Sequence, residues 1–71
     1  MRLIPKTRKG KNKIREAGTD QWREVRTERN VPCLGGAWGV LIEPITDDPE
    51  TREKKARWVK KSSDPDFDFE H

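Results

Sequence analysis

Ala37 to Pro44, with the sequence AWGVLIEP, is the most apolar segment of the chain and limits its fold more than any other feature. The segment is short, contains β-branched residues and ends at a proline, which predicts a strand and not a helix. Only 30% of the 71 residues are hydrophobic, so the core must be small and this strand must lie at its centre. Gly39 inside the strand leaves space for a large neighbouring ring or for a bulge.

Two further strands are predicted, one before and one after this segment. QWREVRT, residues 21–27, places bulky or β-branched residues among charges, as in a strand with one solvent-exposed face. RNVPCLGG, residues 29–36, is rich in turn-forming residues and should reverse the chain. ARWVKK, residues 56–61, predicts a third strand. We therefore expect a small mainly-β or α+β domain with an antiparallel sheet of three to four strands.

Each predicted strand contains one tryptophan, at Trp22, Trp38 and Trp58. In so small a chain three buried indoles would supply most of the core, because each buries a large area. We therefore expect the sheet to be centred on Trp38 to Glu43. The alternative is that the indoles form an exposed platform on which the bases of single-stranded nucleic acid stack.

A short helix is predicted over residues 49–56. Asp48 is suited to cap its N-terminus, Pro49 to occupy its first position and Glu50 to lie in its first turn. The segment has almost no apolar face, so a mobile loop of the same length is the alternative.

The two ends of the chain differ in composition from its centre. Residues 1–13 contain few apolar residues and are interrupted by a proline and a glycine, which predicts a flexible, disordered basic arm. Residues 62–71 alternate acids with two phenylalanines, which predicts a disordered acidic tail. A single small domain is then expected over residues 14–61.

Basic residues are concentrated in the first half of the chain. Residues 1–32 carry ten Lys or Arg and four acids, a net charge of +6, whereas the remainder has a net charge of −3. Such polarity steers a protein toward an acidic surface in one orientation. The predicted partner-binding residues are the cations of the segment KTRKGKNKIREAG: Lys6, Arg8, Lys9, Lys11, Lys13 and Arg15.

Three interpretations of this basic segment fit its composition: a solubilising tail, an arm that follows a phosphate backbone, and an anchor on an acidic protein. No aromatic residue is interleaved with the charges to stack on bases, so we expect only weak contact with nucleic acid. An acidic protein surface requires only charge and reach. We therefore expect a monomeric binding protein with a protein partner.

Catalytic and metal-binding patterns are poorly represented. His71 is the only histidine and the last residue, and Cys33 has no other histidine to act as its base. One cysteine and one histidine do not make a zinc site, and Asp64, Asp66 and Asp68 lack the glycine and the closing glutamate of a calcium loop. We therefore expect no enzymatic activity, no metal and no cofactor.

Targeting patterns are also lacking in the sequence. There is no apolar run of the length of a membrane span and no signal-peptide pattern. The lone cysteine fits a reducing compartment. We expect a soluble, intracellular protein without membrane contact.

The segments KTRKGKNKIREAG, QWREV, RWV and DPDF together resemble small proteins encoded in the genomes of tailed bacteriophages. In size and charge the chain resembles phage transcription regulators that attach to the host RNA polymerase, displace its σ factor and in some cases let it pass terminators. The resemblance implies host RNA polymerase as the partner, inhibition of initiation or antitermination as the effect, and the host bacterial cytoplasm as the location. The alternatives are a non-specific nucleic-acid-binding protein and an inhibitor of a host defence enzyme.

Overall fold

The computed structural model of the chain describes residues 1–60 and 64–70 and has a small α+β fold. The larger antiparallel sheet has the strand order β2-β3-β4, and β1 pairs with β5 in a second antiparallel sheet. This arrangement confirms the predicted fold class. The elements in chain order are β1 (Arg2–Pro5), α1 (Arg8–Ala17), β2 (Trp22–Val31), a 3₁₀ turn (Pro32–Leu34), β3 (Ala37–Pro44), α2 (Pro49–Lys55), β4 (Arg57–Val59) and β5 (Phe67–Glu70).

β3 is the central strand of the larger sheet, as its apolar sequence predicts. Val40 and Ile42 are buried, and they alternate along β3 so that both lie on its core-facing side. All five strands and α1 contribute to the hydrophobic core, which consists of Leu3, Ala17, Trp22, Val40, Ile42, Val59 and Phe67.

Gly39 is the point at which the connection between β2 and β3 packs back onto the sheet. A Cβ atom at Gly39 would lie 2.6 Å from Leu34 Cδ1 and 3.3 Å from the ring of Trp58, so the glycine makes space for a large ring as predicted. The connection reverses through Gly35 and Gly36, whose φ angles of 68° and 82° lie in the left-handed region that favours glycine.

Trp22, and not Trp38, is the tryptophan of the core. Trp22 is 1% exposed, and its Nε1 donates a hydrogen bond to the Thr19 carbonyl oxygen at 3.0 Å. Trp38 is 54% exposed and lies at the start of β3, before the point at which β4 begins to pair with that strand. The expectation that Trp38 anchors the core is therefore wrong. Its ring centroid instead lies 4.9 Å from the guanidinium carbon of Arg29.

Both ends of the chain take part in the fold, so the disordered arm and tail are not confirmed. β1 lies within the predicted arm, residues 1–13, and pairs with β5, which lies within the predicted tail, residues 62–71. Leu3 and Phe67 are buried, which gives each of these strands an apolar contact with the core. The folded unit therefore extends beyond residues 14–61 in both directions, although the predicted boundary before the tail lies outside the described residues.

Helix α1 begins inside the segment that was expected to be flexible and covers its residues 8–13. Thr7 caps its N-terminus, where Oγ1 accepts a hydrogen bond from the Gly10 N–H at 3.1 Å, and Gly18 ends it with a φ of 79°. Gly10 is not a source of flexibility, because a Cβ atom there would overlap the Asp66 carbonyl oxygen and lie 3.3 Å from the Phe67 ring. Helix α1 therefore packs directly on the chain that enters β5.

Helix α2 forms where it is predicted. Asp48 Oδ2 accepts a hydrogen bond from the Thr51 hydroxyl at 2.7 Å, and Oδ1 accepts one from the Glu50 N–H at 3.1 Å. These bonds, the Thr51 bond first, lower the pKa of Asp48 below its ordinary value. No side chain of α2 is buried, and Lys55 ties the helix to α1 through Glu16 at 3.1 Å.

Candidate partner-binding surface

Most of the predicted basic segment forms a helix. Lys6 lies just before α1, with its Nζ 3.7 Å from Asp68 Oδ1, and the other five predicted cations lie on the helix. Lys13 is half-buried and the other four are exposed. We refer to the five helical residues as the cationic helix surface, which comprises Arg8, Lys9, Lys11, Lys13 and Arg15.

The helical period divides these cations between two sides of α1. Lys9 and Lys13, one turn apart, line a groove between α1 and α2. Lys11 and Arg15, also one turn apart, lie beside β1 near Ile4. The helix can therefore present charge in two directions, and the two pairs can be tested separately.

The cationic helix surface lacks ion pairs in the part of the chain that the structure describes. Among the described residues, none of its five members forms an ion pair, and Glu16, the one acid of the helix, is paired with Lys55 of α2. The first turn contains Arg8 and Lys9 but no acid, so these charges oppose the helix dipole. Like charges one turn apart also repel. In the isolated protein this arrangement is electrostatically unfavourable, and an anionic partner would relieve it.

Three further cations join Lys9 and Lys13 around the groove. Lys54 and Lys55 come from the end of α2 and Arg57 from the start of β4, and the groove among the five has a volume of about 670 Å³. The sequence of the basic segment alone does not predict that these three residues lie near it. The predicted helix over residues 49–56 was the available signal, but its packing against α1 depends on tertiary contacts such as the one between Lys55 and Glu16.

Arg57 is held in place by the acidic segment that precedes β5. One of its terminal nitrogens, Nη2, lies 3.1 Å from Asp64 Oδ2 and 3.9 Å from Asp66 Oδ2, and its guanidinium carbon lies 5.1 Å from the centroid of the Phe67 ring. Asp64 is 4% exposed, and its Oδ1 accepts a hydrogen bond from the Asp66 N–H at 2.8 Å. These acids are therefore occupied within the fold and do not cover the cationic helix surface.

Cys33 and His71 are the residues that the sequence offers for catalysis. Cys33 is exposed, and His71 lies outside the described residues. Across residues 1–60 and 64–70, no three His, Cys, Asp or Glu side chains are grouped in a way that would hold a metal ion. No helix of these ranges has the length and apolar character needed to cross a membrane.

Comparison of this chain with protein-family models, with curated proteins and with solved structures finds no match. The functional evidence therefore comes from the surface itself: a helix whose cations form no ion pair with the described residues, and a groove that continues the positive charge onto α2 and β4.

Proposed function

We propose that this protein is a phage-encoded binding protein that attaches to host RNA polymerase and regulates transcription, by σ displacement, inhibition of initiation or antitermination. The observation that supports it is the uncompensated cationic helix surface of α1. Five cations on one short helix destabilise the free protein locally, and binding to an acidic surface would offset that cost. The phage-like sequence segments supply the choice of partner.

A rigid helix suits this role better than a flexible arm. Cations fixed on α1 lose less conformational entropy when they meet a partner than cations on a disordered segment do. The charge polarity of the chain would also orient the encounter and raise the association rate. A large acidic enzyme of the host is the class of partner that such a surface fits.

Exposed Trp38 favours a second candidate function, the binding of single-stranded nucleic acid. Its ring is half-exposed and has a cation, Arg29, against it, which is the combination that stacks on bases. On this alternative, affinity for plain DNA or RNA falls steeply with salt, and Trp38→Ala weakens it. Weak nucleic-acid binding at physiological salt would favour the polymerase instead.

The direct test is capture of RNA polymerase from nuclease-treated bacterial lysate, followed by transcription in vitro with the purified enzyme. The wild-type protein should retain polymerase and change the yield of initiated or terminated transcripts. Reversal of four cations to Glu, at Arg8, Lys9, Lys11 and Lys13, should require a higher concentration for the same effect. Unchanged transcripts with excess folded protein, together with no retained polymerase, would refute the proposal.

The matched control keeps the charge and changes only the side chains. Exchanging Arg for Lys and Lys for Arg at the same four positions should leave capture and transcript yields near those of the wild type, because the charges remain in place. A loss equal to that of the charge-reversed protein would show that side-chain shape, and not charge, carries the interaction.

A further inference from the structure

We infer that the groove between α1 and α2 binds an acidic peptide segment of the partner, with an apolar side chain between two carboxylates. This inference rests on the proposed function in that it names the kind of surface that the partner presents. It also gives the two sides of α1 different roles, since Lys9 and Lys13 are the members of the cationic helix surface that line the groove.

The groove combines cationic walls with an apolar lining. Lys9 and Lys13 project from α1, and Lys54 and Lys55 come from the end of α2. The apolar part of the lining is formed by Leu34, Ala56, Trp58 and Pro65. A volume of about 670 Å³ is within the usual range for a site that holds a small ligand or a few side chains.

The acids that line the groove already have partners. Glu16 is paired with Lys55, and Asp64 and Asp66 both lie against Arg57. Lys9 and Lys13 have no ion-pair partner within the described ranges, and the pair that Lys54 makes with Glu50 joins two exposed side chains, so it is worth little and exchanges readily. The groove therefore offers Lys9 and Lys13 to a ligand, and Lys54 as well if its pair with Glu50 is exchanged.

This charge balance favours a peptide over a phosphate backbone. The five cations and three acids of the lining give it a net charge of +2. A single strand of nucleic acid carries a charge at every phosphate and would bring some of them against Glu16, Asp64 or Asp66. A peptide with two carboxylates matches the charge, and an apolar residue between them meets the apolar lining.

The test uses the full-length protein labelled with ¹⁵N and a capped peptide with the core Asp-Leu-Phe-Asp. Addition of the peptide should shift the amide signals of residues 9, 13 and 54–58 more than those of the rest of the chain. The same peptide with Asn in place of both Asp should bind at least about tenfold more weakly, since it lacks the charges. Equal binding of the two peptides would overturn the inference.

Two charge-matched double variants separate the groove from the general charge of α1. Lys9→Glu with Lys13→Glu should weaken peptide binding by at least about tenfold, whereas Lys11→Glu with Arg15→Glu, the same charge change on the other side of the helix, should have a several-fold smaller effect. Lys9→Gln with Lys13→Gln serves as a milder second variant and should also weaken binding. Equal losses of peptide affinity in the two double variants would refute the assignment of the peptide to the groove.

A twelve-nucleotide single strand of DNA tests the other polyanion. Tighter binding of this strand than of the peptide, with shifts at the same groove residues, would overturn the assignment to a peptide.

Polymerase capture separates this inference from the proposed function. If both Glu double variants retain polymerase equally, the inference that the groove binds the partner is refuted and the proposed function stands. If the peptide occupies the groove and no polymerase is retained, peptide binding in the groove is supported and polymerase as the partner is refuted.

Discussion

Gly10 is the residue at which helix propensity and packing act in opposite directions. Alanine is a better helix former than glycine by about 0.5–1 kcal/mol, so an exposed glycine in α1 would gain from the exchange. At Gly10 a Cβ atom would overlap the Asp66 carbonyl oxygen, which is backbone and cannot move away cheaply. The close packing of α1 on the chain before β5 therefore requires glycine at this position.

We predict that Gly10→Ala destabilises the protein by roughly 1–3 kcal/mol, because overpacking outweighs the gain in helix propensity. Urea unfolding followed by circular dichroism measures the difference. Asn12→Ala, at an exposed position of the same helix, is the control and should be neutral or slightly stabilising. A Gly10→Ala protein as stable as the wild type would mean that α1 does not pack against Asp66.

Trp22 and Trp38 give the second test at this scale. Trp22→Ala removes a fully buried indole and should cost roughly 3–5 kcal/mol, enough to unfold so small a domain. Trp38→Ala removes an exposed ring and its contact with Arg29, and should cost about 1 kcal/mol or less. The amide spectra of the two variants decide the matter: a collapsed spectrum for Trp38→Ala beside a dispersed one for Trp22→Ala would reverse the assignment.

At the scale of elements, the pairing of β1 with β5 closes the fold. Arg2 pairs with Glu70 and Pro5 with Phe67, so the first and last strands meet although nearly the whole chain separates them. β1 also continues toward the start of β2, where the Trp22 N–H donates to the Met1 carbonyl oxygen at 2.8 Å. β1 is therefore hydrogen-bonded on two sides, to β5 and to the residues that lead into β2.

Leu3 and Ile4 test this pairing, because adjacent residues of a strand point to opposite faces. Leu3→Ala removes a buried side chain and should cost roughly 2–5 kcal/mol, whereas Ile4→Ala, on the exposed face of the same strand, should cost about 1 kcal/mol or less. Chemical denaturation of both variants provides the measurement. Equal, small effects would indicate that β1 is a loose arm after all.

The elements that the sequence predicts are those with local signals. β3 follows from its apolar run, and α2 from the cap at Asp48 and the proline at Pro49. For α1 the local signals were present in Thr7 and Gly18, but Gly10 was interpreted as a flexible position when it is a contact.

The remaining features depend on contacts between distant residues. β1 and β5 are only four residues long each, too short for their apolar residues to identify a strand alone, and the structure pairs them with each other. The exposure of Trp38 depends on the tertiary surroundings of the start of β3, which composition does not encode. The groove likewise needs α2 to lie against α1, so its lysines on α2 were beyond prediction from the basic segment.

For the whole molecule, the acids near the C-terminus and the bases of α1 differ in whether they have partners within the fold. Asp64 and Asp66 share Arg57, Asp66 also accepts a hydrogen bond from Thr7, and Asp68 lies 3.7 Å from Lys6, so these three acids have partners within the fold. The cations of α1 form no ion pair with the residues that the structure describes. A molecule with a net charge of only +3 therefore presents one strongly basic surface.

The rate at which the protein associates with purified host RNA polymerase, measured at low and at physiological salt, tests this claim most directly. We predict that association of the wild type slows markedly as salt rises, because the cationic helix surface steers the encounter. The protein with Arg8, Lys9, Lys11 and Lys13 reversed to Glu should associate at least about tenfold more slowly at low salt and depend less on salt. Equal rates and equal salt dependence for the two folded proteins, or no association by either, would contradict the account.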